Sequence, residues 1–141
     1  MSARIRLAET PEEIARCYAV IAELRPHLEA GPFVDQVVRQ QCEGYRLVFL
    51  EEGEAVRACA GYRIGESLSW GRFLYVDDLV TAAAFRSRGF GGELLDWLVA
   101  QARAAGCAQF HLDSGVQRFG AHRFYLAKRM DIIAHHFALK L

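Results

Sequence analysis

A glycine-rich turn is the part of this sequence best suited to bind a charged ligand. It reads Arg86-Ser87-Arg88-Gly89-Phe90-Gly91-Gly92 and lies between a strand-like and a helix-like segment. Glycines let a backbone come close to a ligand, and free N–H groups at the start of a helix attract phosphate. The turn lacks the Gly-Lys-Ser/Thr ending of a nucleotide-binding P-loop, and Leu94 stands where G-x-G-x-x-G requires its third glycine. The two arginines and the position before a helix favour phosphate binding over the plain alternative, a turn whose glycines only permit tight packing.

A tyrosine late in the chain could supply a proton. Ala121 and Tyr125 stand four residues apart in a helix-like segment and would share one face of that helix. A Tyr hydroxyl beside a reacting atom can donate a proton to a leaving group. The alternative is a helical Tyr whose ring joins the core and whose hydroxyl meets water. Taken alone, the spacing favours this structural alternative.

Two adjacent carboxylates, Asp77 and Asp78, interrupt a long apolar segment. Neighbouring residues of a strand point to opposite faces, so we expect at most one of the two to face a given pocket. A structural role, in which the carboxylate pairs with an Arg or a backbone N–H, is as plausible as a catalytic one. The histidines offer no ligand-like spacing, since His135 and His136 would face opposite ways, and we predict no metal site.

These residues lie on a series of elements that the sequence pattern predicts in order. Thr10-Pro11-Glu12-Glu13 is typical of a capped helix start, and Gly106 stands where a helix would end. The short connections between the three central strands indicate antiparallel pairing. The predicted strands are Arg4–Ala8, Tyr45–Leu50, Ala55–Ile64, Trp70–Thr81, Cys107–Asp113 and Asp131–Leu141, and the predicted helices begin at Pro11, Phe33, Arg86 and Gln117. The pattern predicts a mixed α/β protein whose largely antiparallel sheet gains a parallel pair around the third helix.

Length and composition limit the classes of protein that this chain could be. It has 141 residues, of which 52% are hydrophobic and 24% charged, so we expect one folded domain over residues 1–141 rather than a disordered chain. Its 17 basic residues equal its 17 acidic ones, which argues against nucleic-acid or membrane-surface binding. The four cysteines are widely spaced, and the N-terminal segment lacks an apolar signal core. We therefore expect free thiols and a cytoplasmic location.

Taken together, these segments resemble the GNAT family, the acetyl-CoA-dependent N-acetyltransferases. The family signature, Arg/Gln-x-x-Gly-x-Gly/Ala, is matched position by position from Arg86 to Gly91. Leu79-Val80-Thr81 is similar to the strand end whose backbone groups meet the pantetheine arm of coenzyme A, and Ala121-x-x-Phe124-Tyr125 is similar to the family's second motif. Arg118 stands where many members have a pantetheine-contacting Asn, and Arg129-Met130 replaces the usual Gly-Phe.

The resemblance implies a fold, a reaction and a set of roles. The implied fold is a mixed, mostly antiparallel central sheet of about six or seven strands flanked by four helices. The implied reaction moves an acetyl group from acetyl-CoA directly to a primary amine of a small molecule or protein, with Tyr125 as the acid that protonates the thiolate and Asp77 as a base acting through water. The residues expected to bind the cofactor are Leu79, Val80, Thr81, Arg86, Ser87, Arg88, Gly89, Phe90, Gly91, Gly92 and Arg118.

Three questions stay open at the level of sequence. The same fold could serve as a non-catalytic acyl-CoA sensor or interaction module, although Tyr125 and Asp77 argue against it. The acyl chain could be longer than acetyl. The acceptor could be a polyamine, an antibiotic amine, an amino acid or a protein amine, since the balanced charge permits each of them. The chain could also form a homodimer.

Overall fold

The computed structural model describes residues 2–141, whose elements follow the predicted order except at the C-terminal end. In chain order they are β1 (Ala3–Leu7), α1 (Pro11–Leu24), α2 (Ala30–Gln41), β2 (Arg46–Glu52), β3 (Ala55–Ser67), β4 (Gly71–Thr81), a short 3-10 helix (Ala83–Phe85), α3 (Phe90–Ala104), β5 (Gln109–Leu112) and α4 (Phe119–Ala127). Two compact units divide the chain, one ending at His111 and the other running from Leu112 to Leu141.

The first unit holds the sheet, whose strands lie in the order β1-β2-β3-β4-β5. The pairs β2–β3 and β3–β4 are antiparallel, as the short connections between them predict, and β1 also pairs with β2 in antiparallel orientation. The turn between β2 and β3 is only two residues long, and Gly53 has a φ of 63° there, a left-handed conformation that glycine adopts without strain. β5 lies beside β4, and the Ala108 N–H just before β5 donates to the Arg72 carbonyl at 2.7 Å.

Helices cover both faces of this sheet. α1 begins with the predicted capping box: the Glu13 N–H donates to Thr10 Oγ1 at 3.2 Å, and the Thr10 N–H donates to Glu13 Oε1 at 3.1 Å. α1 and α2 share one apolar core with the sheet, which includes Ile14, Cys17, Ile21, Phe33, Val37, Tyr45, Phe49, Cys59 and Val80. α3 lies on the other face, where Trp97 packs edge-on against Tyr62 with their ring centroids 6.2 Å apart. The sheet therefore holds the end of β4 between two helical layers.

The strand count differs from the expectation. The sheet has five strands rather than six or seven, and the segment predicted as a final strand, Asp131–Leu141, adopts no regular secondary structure. An alternating pattern of side chains makes a segment suitable for a strand, but a strand also needs a partner with which to exchange backbone hydrogen bonds. Within the part of the chain that the structure describes, this segment enters no strand ladder, and Phe137 and Leu139 are 91% and 85% exposed.

Candidate active site

The predicted phosphate-binding turn lies directly before α3 and has an unusual backbone. Ser87 and Gly89 adopt left-handed conformations, with φ values of 70° and 84°. Gly89 is the residue that precedes α3, and no side chain caps that end of the helix. The first N–H groups of a helix have no partner within it, and left-handed residues in a turn gather such groups around a small anion. The turn therefore has the geometry to bind a phosphate group through its backbone.

The two arginines of this turn have different surroundings. Arg88 pairs with Glu52 at the end of β2, at 2.9 Å, and its guanidinium lies 4.8 Å from the centre of the Phe90 ring. Glu52 also accepts from Arg57 at 3.1 Å, and these hydrogen bonds, that of Arg88 above all, hold the pKa of Glu52 below its usual value. Arg86 is exposed and forms no ion pair with another residue in the range 2–141. Arg88 is thus held beside the turn, whereas Arg86 is free to meet a ligand.

The end of β4 leaves part of its backbone open. Leu79, Val80 and Thr81 pair with β3 along one edge. On the other edge, β5 is four residues long and starts beside Arg72, near the beginning of β4. At about 3.3 Å per residue, β5 is too short to reach the last three residues of the eleven-residue β4. These residues can therefore offer N–H and C=O groups to an extended ligand, as the resemblance implies.

The expectation that Asp77 and Asp78 face opposite ways is wrong, because a β-bulge interrupts the alternation. Gly61 pairs with Asp78 while Tyr62 pairs with Val76, so Asp77 is an extra residue with no partner on β3. An extra residue shifts the following side chains to the other face of the sheet. As a result, both carboxylates reach groups on the face that α1 and α2 cover.

The two carboxylates have different partners on that face. Arg63 donates to both oxygens of Asp77, at 2.8 and 2.9 Å. Asp78 accepts from the Tyr45 hydroxyl at 2.8 Å and from Arg25 Nε at 3.1 Å. The side chain of Asp77 is 27% exposed and that of Asp78 is 17% exposed. Asp77 is the more accessible of the two to a substrate.

Tyr125 and Arg118 belong to the second compact unit. Arg118 immediately precedes α4 and is exposed, and its carbonyl accepts from the His122 N–H at 3.0 Å. Tyr125 is part-buried on α4, and its ring centre lies 5.3 Å from that of Phe124. Burial raises the pKa of the Tyr125 hydroxyl, an effect that the positive charge of Arg118 partly offsets. At neutral pH the Tyr125 hydroxyl therefore keeps its proton.

Arg25, Tyr45, Gly61 and Arg63 were not among the predicted site residues, although they surround the two aspartates. Arg25 and Tyr45 lie 53 and 33 residues from Asp78, and no spacing within the sequence connects them. Gly61 offered a signal, since a glycine inside a strand marks a bulge or a close approach.

Two general features concern metals and membranes. Among residues 2–141 no group of three or more His, Cys, Asp or Glu side chains is placed to hold a metal ion. In the same range, no helix combines the length and the apolar character needed to cross a membrane.

Comparison with known proteins identifies the family. Residues 8–130 match the model of the acetyltransferase (GNAT) family. A protein of Bacillus subtilis (strain 168), named "Uncharacterized N-acetyltransferase YhdJ", is 41% identical over 118 residues, which are 83% of this chain and 83% of that protein.

Solved structures share the fold. An aminoglycoside N-acetyltransferase in complex with CoA superposes with a TM-score of 0.85 at 11% identity, covering 99% of this chain and 95% of that one. A GNAT family acetyltransferase of Staphylococcus aureus has a TM-score of 0.83 at 17% identity and covers 100% of both chains. At these identities the superpositions show the fold, while the family model and the Bacillus relative show membership. The chain is therefore an acetyltransferase that belongs to the GNAT family.

Proposed function

We propose that this chain transfers the acetyl group of acetyl-CoA directly to a primary amine, and that it binds acetyl-CoA along the end of β4 and in the turn before α3. The observation that carries the proposal is this turn, with left-handed Ser87 and Gly89 before a helix end that no side chain caps. Such a turn suits the pyrophosphate of coenzyme A. Gly89, Phe90, Gly91 and Gly92 would hold the pyrophosphate through their N–H groups, and Arg86 would add charge.

The open edge of β4 could bind the pantetheine arm and the thioester. Leu79, Val80 and Thr81 would bind the pantetheine arm, and an N–H of this strand end would donate to the thioester oxygen as negative charge develops there. Arg118 would contribute a further cofactor contact. Acetyl-CoA is a co-substrate in this scheme, and coenzyme A leaves as a product.

Proton transfer is the chemical task left to side chains. An alkyl ammonium has a pKa near that of Lys, about 10, so the acceptor must lose a proton before its nitrogen attacks the thioester carbon. Asp77 would take that proton through a water molecule. Arg63 binds both oxygens of Asp77, but a carboxylate has about four lone-pair sites, so acceptor sites remain. When the C–S bond breaks, Tyr125 would protonate the departing thiolate, and the second proton that the attacking nitrogen loses as it becomes an amide would restore the Tyr125 hydroxyl.

The alternative left open by the sequence, a non-catalytic acyl-CoA sensor that binds the same ligand without turnover, is not favoured by membership in the acetyltransferase family. The partly exposed Asp77 favours the enzyme, since a sensor has no need of an accessible carboxylate at the bulge.

The proposal also includes a cytoplasmic location, which the four free cysteines support. The name of the Bacillus relative, an N-acetyltransferase, supports a nitrogen atom as the acceptor.

Binding of acetyl-CoA tests the proposal. At a hundredfold excess over its Kd, acetyl-CoA should stabilise the fold by about 2.7 kcal/mol, which a melting experiment detects. Gly89→Val and Gly91→Val should abolish the increase in Tm, because a branched Cβ blocks the close approach of phosphate to the backbone. Gly31→Val, on α2, is the matched control and should keep the increase. No increase at millimolar acetyl-CoA, or a normal one in both turn variants, would contradict the proposed binding site.

A further inference from the structure

The bulge in β4 is fastened to the end of α1 by one side chain. Arg25, the residue directly after α1, donates from Nε to Asp78 Oδ1 at 3.1 Å and from Nη2 to the Asp77 carbonyl at 3.0 Å. An extra residue in a bulge has no regular place in the strand ladder, so its backbone groups need other partners. Arg25 supplies one of them. It therefore fixes two successive residues of the bulge at once, one through the backbone and the other through the side chain.

A buried tyrosine holds the same carboxylate from a second direction. The Tyr45 hydroxyl donates to Asp78 Oδ2 at 2.8 Å, and its ring lies in the core that α1 and α2 share with the sheet. Gly61 stands opposite Asp78 in the register, and a Cβ at Gly61 would overlap the Tyr45 hydroxyl. The absence of a side chain at Gly61 is therefore what lets Tyr45 reach the bulge. We call Arg25, Tyr45 and Asp78 the bulge clamp.

Within the clamp, Arg25 and Tyr45 bind the side chain of Asp78, and neither of them binds the side chain of Asp77. Arg25 and Tyr45 occupy both oxygens of the Asp78 carboxylate. The Asp77 carboxylate pairs instead with Arg63, whose own side chain is 51% exposed. A carboxylate that is enclosed and bonded on both sides is suited to fix geometry. A more exposed one beside it is suited to meet a substrate.

We propose that the bulge clamp positions Asp77 for catalysis, with Arg25 and Tyr45 acting through Asp78 to set the direction in which the Asp77 carboxylate faces. This inference rests on the proposed role of Asp77 as the base. Misplacement of a reacting group by about 1 Å can cost up to about 100-fold in rate. Arg25 and Tyr45 are thus positioning residues, although neither needs to touch the substrates.

A double-mutant cycle tests the clamp. Tyr45→Phe keeps the buried ring and removes only the donor to Asp78, and Arg25→Lys keeps the charge but cannot bridge both aspartates. Each should lower kcat by about 10- to 100-fold while the KM for acetyl-CoA changes by less than about threefold. In an Asp77→Asn background, the same substitutions should lower kcat by less than about threefold, because the clamp then has no base to position. Arg39→Lys, at the exposed end of α2, is the matched control and should keep the wild-type kcat.

The outcomes separate this inference from the proposed function. If Tyr45→Phe and Arg25→Lys lower kcat equally in both backgrounds, the clamp does not act through Asp77 and the inference is wrong, while the base assignment stands. If the single variant Asp77→Asn keeps the wild-type kcat, the assignment of Asp77 as the base is wrong, and the inference about the clamp is wrong with it. Melting curves of each variant show that the compared proteins are folded at the assay temperature.

Discussion

Tyr125 is the single residue whose chemical role is easiest to isolate. Tyr125→Phe keeps the ring and its contact with Phe124, so acetyl-CoA affinity should hold within about 1 kcal/mol, the usual net value of one hydrogen bond. Loss of the proton donor should lower kcat by about 10²–10⁴-fold. Steady-state kinetics together with a binding titration measure both quantities. A loss below about threefold would show that the thiolate leaves without help from Tyr125, whose hydroxyl would then be structural.

Asp77 and Asp78 should respond differently to the same change. Asp77→Asn should lower turnover most at low pH, where removing a proton from the amine is hardest, with little change in acetyl-CoA affinity. Asp78→Asn removes a charge bonded to Tyr45 and Arg25, and should therefore lower the melting temperature above all. Profiles of kcat/KM against pH and melting curves of both variants measure these effects. If Asp78→Asn alone changed the pH profile, Asp78 would be the base instead.

Much of what lies within one short segment could be predicted from the residues. The turn from Arg86 to Gly92 carries its own signal, since its glycines, its arginines and the helix after it are contiguous. The bulge at Asp77 could not be predicted in this way, because it depends on which residue of β3 pairs with which residue of β4. Strict alternation therefore predicts that Asp77 and Asp78 lie on opposite faces of the sheet. Only the pairing register of β3 and β4 shows that both side chains lie on the same face.

At the scale of elements, the predicted start of α1 at Pro11 is confirmed, whereas α2, α3 and α4 begin at Ala30, Phe90 and Phe119 rather than at the predicted Phe33, Arg86 and Gln117, and the last strand is absent from residues 2–141. Thr10, Pro11 and Glu13 form the expected capping box because its hydrogen bonds are local. The segment Asp131–Leu141 has the alternating pattern of a strand and yet forms none, since pairing requires a partner that side-chain pattern does not specify. Local hydrogen bonds are encoded by neighbouring residues, and ladders between distant segments are not.

The junction of β1, β2 and α1 makes an acid-sensitive element. Glu51 is buried on β2, which opposes its ionisation, but hydrogen bonds from Arg4, Arg6 and Arg16 prevail and lower its pKa to about 2. Because the usual pKa is 4.5, the charged form stabilises the fold fully above pH 4.5, and this stability is lost as the pH falls from there toward about 2.

Urea unfolding at pH 7 and pH 3 checks this prediction. Glu51→Gln should lower the free energy of unfolding at pH 7 by about 1–3 kcal/mol, because three arginines lose a charged partner. The variant should also lose less stability than the wild type between pH 7 and pH 3. Glu54→Gln, an exposed position in the turn that follows β2, is the control and should behave as the wild type. Equal losses for Glu51→Gln and the wild type would contradict the role given to Glu51.

At the scale of the whole molecule, the assignment of the family and of its reaction depends on more than one motif. The family model spans residues 8–130, whereas the turn and the Tyr125 segment together cover only a small part of that range. The clamp residues come from three places that meet only in the folded chain: Arg25 directly follows α1, Tyr45 directly precedes β2, and Asp78 lies on β4. For this reason the turn before α3, the proposed cofactor site, could be predicted from sequence, and the contacts that support the proposed base could not.

Turnover with defined amines tests the central claim most directly. The protein is mixed with acetyl-CoA and, in separate reactions, a polyamine, an aminoglycoside, a free amino acid and a lysine-containing peptide, and both released thiol and acetylated amine are quantified. Direct transfer predicts equal amounts of thiol and acetylated product with at least one of these amines, and a rate that falls in Tyr125→Phe and Asp77→Asn. Acetyl-CoA that raises the melting temperature but yields no acetylated amine in any reaction would contradict the account and favour the acyl-CoA sensor.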